Sequence, residues 1–165
     1  MAKHKKSEIQ SMIFDCNVWI TDFFKKESEL RNKITHNNYR VILTSYMDVE
    51  ILRVLKRLST RLSISYTELE TRFWEICSLN YIKIDFKEPF TESLISEVRR
   101  IPEFRIIAKI LDLEVKDVPY LVAAFQHTAI LVSNDLRSLI DKRNLIEKNL
   151  GIKIRTTTEF LASNE

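Results

Sequence analysis

Four carboxylates occupy positions in the sequence where they could do chemistry. Asp15 directly follows a short apolar segment, and Asp135 directly follows another. Asp117 precedes a helical pattern, and Glu50 lies inside a further one. An Asp between a strand and a helix is also a good helix N-cap, worth about 1 kcal/mol, so each Asp taken alone has a structural explanation. Capping and ligand binding are compatible in the same residue.

Glu50 is not explained by capping. It lies three residues after Met47 and four before Val54, at the edge of the apolar stripe of its helix. A carboxylate beside a buried face needs a partner, because burying an unpaired charge costs several kcal/mol. A nearby Arg or Lys would serve, and so would a metal ion if the three Asp side chains lie close by.

A shared site for four carboxylates would favour a divalent cation. Carboxylates at close quarters repel one another and raise one another's pKa. Ligation by oxygen alone suits Mg²⁺ or Mn²⁺ rather than Zn²⁺. The reaction that such a site most naturally supports is phosphodiester hydrolysis, in which one metal makes a water more acidic and a second steadies the leaving oxygen.

The elements that must position these acids alternate between strand and helix. Strands are predicted at 12–14, 41–44, 81–84, 129–132 and 152–154. Helices are predicted at 18–32, 46–59, 67–79, 105–111, 118–127, 136–148 and 158–162. This alternation indicates an α/β fold with helices on both faces of a mostly parallel sheet. Ligands bind outside the carboxyl ends of such strands, so Asp15, Asp117 and Asp135 should lie at one rim.

Composition narrows the function classes. The chain has 165 residues, 45% of them hydrophobic, and only one glycine, Gly151. A Gly-rich phosphate loop is therefore excluded, and an antiparallel all-β fold is disfavoured. Gly151 falls between a predicted helix and the last strand, where a left-handed C-cap is expected. A net charge of +3 is compatible with nucleic-acid binding without indicating it.

The sequence predicts one domain without a membrane span. Residues 1–10 form a flexible basic arm, and residues 11–165 a single domain with a helical insertion at about 59–112. Cys16 and Cys77 have no metal-ligand spacing and are interpreted as core residues in a reducing compartment. No apolar run approaches the length of a transmembrane helix, and no secretory signal precedes Ser11, so a cytoplasmic location is expected.

Five stretches of the chain resemble the PIN-domain family of ribonucleases. They are residues 13–20 (IFDCNVWI), 47–52 (MDVEIL), 116–124 (KDVPYLVAA), 130–135 (ILVSND) and 156–161 (TTTEFL). The resemblance spans residues 11 to 161. It implies a three-layer α/β/α fold with a five-stranded parallel sheet, and an acidic pocket that holds Mg²⁺ or Mn²⁺ and cleaves RNA.

The resemblance also implies roles for individual residues. Asp15, Glu50, Asp117 and Asp135 match the acidic catalytic and metal-binding set of the family. Asn17 and Ser133 match polar residues that help to hold the first Asp and a metal-bound water. Glu114 is a candidate for a residue that supports the metal ligands from outside, or it is simply a solvated surface residue. The family often has a further acid just after the fourth-strand Asp, where this chain has Leu136, Arg137 and Ser138. Asp141 could substitute for that acid but is expected to face water.

Basic residues could follow an RNA backbone beside these acids. The candidates are Arg53, Lys56, Arg57 and Arg61, then Arg99, Arg100, Arg105 and Lys109, and finally Arg137, Lys142 and Arg143. Most such residues belong to a solvated face, and phosphate contacts position an RNA without reading its sequence. Arg53, Arg57 and Arg137 are the substrate-binding candidates.

Three function classes stay open at this point. The leading one is a metal-dependent endoribonuclease, either the toxin of a toxin–antitoxin pair with an antitoxin partner or an RNA-processing enzyme. The second is a non-catalytic PIN-like module that binds RNA or protein. The third is a phosphotransferase with Asp15 as nucleophile, although that chemistry usually requires a second Asp where Asn17 stands. The resemblance also implies a homodimer.

Overall fold

Strands and helices alternate along the chain, which a computed structural model describes at residues 9–85 and 93–164. The strands are β1 (Ser11–Phe14), β2 (Arg40–Thr44), β3 (Ile82–Asp85), β4 (Ile130–Val132) and β5 (Ile154–Arg155). The helices are α1 (Cys16–Phe23), α2 (Glu29–His36), α3 (Ser45–Leu62), α4 (Tyr66–Cys77), α5 (Ser93–Arg100), α6 (Pro102–Leu111), α7 (Val118–Gln126), α8 (Arg143–Leu150) and α9 (Thr157–Ala162). A 3-10 turn, Val115–Asp117, precedes α7. Most of the predicted basic arm, residues 1–8, lies outside the described residues.

The five strands form one sheet in the order β3-β2-β1-β4-β5, and every neighbouring pair is parallel. β1 is the central strand, with Met12 opposite Val41 on one side and Ile130 on the other. Parallel order requires crossover connections, which the helices provide. The predicted α/β class is confirmed, and the architecture agrees with a three-layer α/β/α fold.

The three middle strands, β1, β2 and β4, are mostly apolar runs that the helices cover. Met12, Val41 and Leu131 have no exposed surface. Their side chains belong to one hydrophobic cluster that extends along the chain from Met12 to Phe160. The strand ends that carry the acids are therefore fixed by a continuous core.

The helix predicted at 18–32 is wrong, because the structure has two helices there. α1 ends at Phe23, and α2 begins at Glu29. Ser28 caps α2 by accepting a hydrogen bond from the Arg31 N–H at 3.1 Å, and its hydroxyl donates to the carboxylate of Asp22. A Ser with this local capping bond starts a new helix rather than continuing an old one.

The helix predicted at 136–148 is also wrong over its first half. Residues 136–142 form turns, and α8 begins at Arg143. The Asp135 carboxylate accepts hydrogen bonds from the N–H groups of Arg137 (3.1 Å) and Ser138 (3.2 Å), which folds the chain back beside the strand end. Leu139, with no exposed surface, anchors these turns in the core.

The region predicted as a helical insertion, residues 59–112, contains a strand of the main sheet. β3 pairs with β2 over Val41–Thr44, so the additional helical material divides into α4 before β3 and α5–α6 after it. The prediction for Gly151 is confirmed: it ends α8 with φ of 68° and donates its N–H to the Glu147 carbonyl at 2.9 Å. In the described ranges, no helix combines the length and apolar character that a membrane span requires.

Candidate functional site

The four predicted acids line one pocket at the carboxyl edge of the sheet. Asp15 follows β1, Asp135 follows β4, Asp117 ends the 3-10 turn before α7, and Glu50 lies in the second turn of α3. The pocket has a volume of about 360 Å³. Its wall also includes the side chains of Cys16, Ile20, Thr21 and Val54 from α1 and α3. Three chain segments and one helix face are thus brought together from widely separated positions.

Asp15 is buried and held by two hydrogen bonds. One carboxylate oxygen accepts from the Cys16 N–H at 2.7 Å, and the other accepts from the Ser133 hydroxyl at 2.7 Å. Burial raises the pKa of Asp15 to about 6 against these two bonds, and the charges of Glu50 and Asp135 add to the increase. Asp15 therefore has a fixed orientation, and a nearby cation would stabilise its ionised form.

Asp117 is the second buried acid, and a serine from the turns after β4 holds it. The Ser138 hydroxyl donates to Asp117 Oδ2 at 2.5 Å. Burial raises the pKa of Asp117 to about 6, the Ser138 bond opposes this, and the charge of Asp15 contributes to the rise. Although it precedes α7, the Asp117 side chain makes no capping bond to that helix, so its predicted capping role is wrong.

Asp135 is partly exposed at the mouth of the pocket. Its N–H donates to the Ser133 hydroxyl at 3.0 Å, so this one serine links the first and last acids of the set. Oδ1 of Asp135 caps the following turn through Arg137 and Ser138. The turn that interrupts the predicted helix is therefore built on a site residue.

Glu50 has two partners that sequence reasoning did not assign. Tyr120 Oη donates to Glu50 Oε2 at 2.5 Å, and Arg99 Nη2 lies 3.6 Å from Glu50 Oε1. Burial nevertheless raises the pKa of Glu50, because its desolvation outweighs these two contacts. The arginine left open as a partner for Glu50 is thus present, and it comes from α5.

Two tyrosines support this arrangement. Tyr46 and Tyr120 are both buried, with ring centroids 6.0 Å apart at an interplanar angle of 84°. Tyr46 Oη accepts from Arg99 Nε at 3.3 Å and donates to the Lys116 carbonyl at 3.3 Å. Tyr120 packs in the core, and its hydroxyl contact with Glu50 adds a polar role. The sequence signal was its position three residues after Asp117, which places both on one side of a helical turn.

The predicted supporting residues differ in their placement. Ser133 is fully buried between Asp15 and Asp135. Asn17 lines the pocket and accepts the Asn134 N–H through its side-chain oxygen at 3.4 Å. Glu114 is largely exposed, lies outside the pocket wall and pairs with Lys116 at 3.0 Å. Lys116 itself lines the pocket, so Glu114 reaches the site only through that lysine.

The three basic residues predicted to bind substrate, Arg53, Arg57 and Arg137, are all exposed. None forms an ion pair with another described residue. Arg57 is near enough to act on the Cys16 thiol, whose pKa is raised by burial and lowered in part by the arginine. Cys16, predicted to lie in the core, is partly buried against the core and also forms part of the pocket wall.

A second and larger cavity, of about 500 Å³, lies at the opposite edge of the sheet. It is bordered by Gln10 before β1, Thr128 before β4 and Lys153 before β5. No carboxylate lines it. The larger cavity faces the amino ends of the strands and has no acidic side chain, so the smaller acidic pocket is the better candidate site.

Within residues 9–85 and 93–164, no three His, Cys, Asp or Glu side chains stand close enough to form a ready-made metal centre. The donor set nevertheless fits a hard divalent cation. All four acids offer oxygen only, and burial holds the pKa values of Asp15 and Asp117 above their ordinary range. A cation would stabilise the ionised form of both groups.

Comparison with known proteins assigns the chain to no family. No protein-family model matches it, and no curated protein is significantly similar to it in sequence.

Proposed function

We propose that this chain is a PIN-like, metal-dependent endoribonuclease. The observation that carries the proposal is the convergence of Asp15, Glu50, Asp117 and Asp135 on one pocket at the carboxyl edge of a parallel sheet. The resemblance of the surrounding stretches to PIN ribonucleases supports the reaction class. RNA is the proposed substrate.

Asp15, Asp117 and Asp135 are the residues that would hold Mg²⁺ or Mn²⁺, with Glu50 beside them. Glu50 already has a guanidinium and a hydroxyl as partners, whereas the three Asp side chains form no ion pair with any described residue. The bound cation would supply charge neutralisation at the phosphate and a more acidic water. Ser133 and Ser138 orient Asp15 and Asp117 toward that task.

Glu50 is proposed as the group that takes up the proton of the attacking water. Its raised pKa makes it a better proton acceptor than an ordinary surface carboxylate. Oε2 is occupied by the Tyr120 hydroxyl, and Oε1 has no hydrogen bond within the described part of the chain. The oxygen of the water forms a bond to phosphorus, and one proton of the water moves to Oε1. The bond from phosphorus to the leaving nucleotide oxygen breaks, and that oxygen keeps the electron pair and takes a proton from solvent.

The experiment is an RNA cleavage assay with Mg²⁺ or Mn²⁺, with and without EDTA. Asp15→Asn and Asp135→Asn should each lower the cleavage rate by roughly 100-fold or more, because each removes a charged metal ligand. Asp141→Asn is the matched control, since Asp141 is an exposed acid close to Asp135 in the sequence. This variant should cleave RNA at the rate of the unsubstituted protein. Cleavage that is unaffected by chelation or by either site variant would contradict the proposal.

The other function classes correspond to different outcomes of the same assay. Divalent-ion binding that is lost in Asp15→Asn, without RNA cleavage by the intact protein, would favour a non-catalytic binding module. Phosphatase activity that survives Asp117→Asn and Asp135→Asn would favour an aspartyl phosphotransferase. The toxin or processing role, an antitoxin partner, the homodimer and the cytoplasmic location stay predictions from the sequence.

A further inference from the structure

We propose that Arg99 binds a phosphate of the RNA backbone at the mouth of the acidic pocket. This inference rests on the proposed function and gives the helical material after β3 a role in that function. α5 packs against α3 and α6, and its Ile95 is buried in the core. Arg99 follows one turn later and reaches back to Glu50 and Tyr46. The helix therefore places one cation beside Glu50, at the edge of the acidic set.

The guanidinium of Arg99 is held in place but remains available. Its Nε donates to Tyr46 Oη at 3.3 Å, and that hydroxyl is itself fixed by the Lys116 carbonyl. Nη2 lies 3.6 Å from Glu50 Oε1, which is an ion pair but too long for a good hydrogen bond. Of the five N–H donors of an arginine, the four on Nη1 and Nη2 have no hydrogen-bond partner among the described residues.

Exposure and orientation match a phosphate-binding role. The Arg99 side chain is 37% exposed, and it lies beside Glu50, which lines the pocket. Two adjacent nitrogens of a planar guanidinium fit two oxygens of a phosphate. Because Tyr46 and Glu50 already restrict the side chain, little further conformational entropy is lost when an anion binds.

The negative charge of the site favours a cationic residue close to the bound phosphate. A phosphodiester that approaches four carboxylates is repelled, and a cation that touches the acids reduces the repulsion. Lys116 lines the pocket, but Glu114 pairs with its ammonium group at 3.0 Å. Arg53, Arg57 and Arg137 are exposed and form no ion pair with the acids. Arg99 is the described arginine in contact with the acidic set.

The test measures binding of a short, labelled single-stranded RNA to the full chain by fluorescence anisotropy, in EDTA so that metal-dependent cleavage is blocked. Binding is followed over a range of salt concentrations for the unsubstituted protein, Arg99→Gln, Arg99→Lys and Arg100→Gln. Arg100 is the matched control, because it is the next residue on α5 and is exposed. Thermal unfolding of each variant checks that it is folded.

Arg99→Gln should weaken RNA binding by about tenfold, as expected for the loss of a charged hydrogen-bond pair. The slope of log affinity against log salt should become shallower by about 0.7, the value for one phosphate contact on a single strand. Arg99→Lys should retain the slope and lose only part of the affinity, because it keeps the charge without the bidentate geometry. Arg100→Gln should change neither quantity.

A folded Arg99→Gln variant with unchanged affinity and salt slope would overturn the role of Arg99, while RNA cleavage by the intact chain would leave the proposed function standing. A slope that changes equally in Arg99→Gln and Arg100→Gln would also overturn it, since the contact would then be a general property of the α5 surface. If the unsubstituted protein neither binds nor cleaves RNA, the proposed function fails, and this inference fails with it.

Discussion

Asp48 is a buried carboxylate that has no part in the pocket. It is fully buried in α3, and neither of its oxygens has a hydrogen-bond partner among the described residues. Burial raises the pKa of Asp48 to about 7, and no hydrogen bond of standard geometry offsets it. The folded chain therefore holds this proton more tightly than the unfolded chain, in which an Asp titrates near 4.

This difference predicts a pH dependence of stability. The contribution of protonated Asp48 to the free energy of unfolding is complete below about pH 4. It is lost as the pH rises toward 7, because the unfolded chain releases the proton at a lower pH than the folded chain. The side chain introduced by Asp48→Asn does not titrate, so the variant does not undergo this loss. The free energy of unfolding of the variant, relative to that of the unsubstituted protein, should therefore increase by roughly 1–4 kcal/mol between pH 4 and pH 7. The measurement is urea unfolding of both proteins at pH 4 to 8.

Glu27→Gln is the matched control, because it also replaces a carboxylate by an amide, but at an exposed position outside the core. Other acids with raised pKa values are present in both proteins, so only the difference between the two curves reports on Asp48. A difference that stays constant across the range would show that Asp48 does not titrate abnormally.

Ser138 is a positioning residue for Asp117. Ser138→Ala removes the hydroxyl that donates to Asp117 Oδ2, so the carboxylate loses its orientation and its pKa rises further. We expect RNA cleavage and Mn²⁺ affinity to fall by about tenfold, as for other groups that orient metal ligands. Titration with Mn²⁺ and the cleavage rate measure the effect.

Leu136→Ala provides the control for that substitution, because Leu136 lies in the same turns but is exposed. Equal Mn²⁺ affinity in Ser138→Ala and the unsubstituted protein would mean that the hydroxyl does not position Asp117. Loss of stability without any change in Mn²⁺ affinity would give the serine a purely structural role.

At the scale of elements, Lys33 ties α2 to the end of α9. Its ammonium group donates to the carbonyls of Phe160 and Ser163, and it lies 4.6 Å from the centre of the Phe160 ring. Lys33→Met should lower the free energy of unfolding by about 1–3 kcal/mol, because partly buried carbonyls at the end of α9 lose their charged donor. Urea unfolding measures the change.

Lys26→Met tests whether the loss is specific, since Lys26 is exposed between α1 and α2 and forms no ion pair with a described residue. It should alter stability by less than about 0.5 kcal/mol. If the two variants lose similar amounts of unfolding free energy, the contact between α2 and α9 contributes no more to stability than a surface charge does.

The strands and most helices could be predicted because their apolar pattern is local. Met12, Ile13 and Phe14 form a continuous apolar run that predicts a buried strand wherever the rest of the chain lies. The break between α1 and α2 was missed because it depends on the contact of Ser28 with Asp22, six residues away. The turns at 136–142 were missed because Asp135 bonds to the backbone instead of allowing a helix to continue.

The residues of the acidic pocket also divide into those that a local sequence pattern predicts and those that depend on distant contacts. Asp15 and Asp135 could be predicted because Asp15 directly follows β1 and Asp135 is the third residue after β4, and the carboxyl ends of parallel strands share an edge. The partners of Glu50 could not, since Tyr120 is 70 residues and Arg99 49 residues further along the chain. Contacts of that kind depend on how helices pack, and periodicity within one segment does not carry that information.

At the scale of the whole molecule, the helical material around β3 belongs to the same core as the sheet. The hydrophobic cluster includes Phe73 from α4, Ile95 from α5 and Leu111 from α6. Trp19 in α1 contacts Phe73, with ring centroids 6.4 Å apart. We therefore expect one cooperative unfolding transition rather than separate melting of the added helices.

Two single-tryptophan variants test this expectation. Trp19→Phe leaves Trp74 in α4 as the fluorescent probe, and Trp74→Phe leaves Trp19 beside the central strand. In each variant, the midpoint of urea unfolding by fluorescence should coincide with the midpoint by circular dichroism. If Trp74 reports unfolding before the helical signal is lost, α4 is a separate unit and the single-domain prediction is wrong.

The position of β1 in the middle of the sheet has a consequence for translation. A chain leaves the ribosome amino end first, so β1 and β2 are available long before β4 has been made. Until β4 emerges, Asp15 lacks the Val132 carbonyl that its N–H contacts and the Ser133 hydroxyl that orients it, and Asp135 does not yet exist. A nascent chain therefore carries no complete acidic pocket, and its own messenger RNA is out of reach of the proposed activity until synthesis has passed β4.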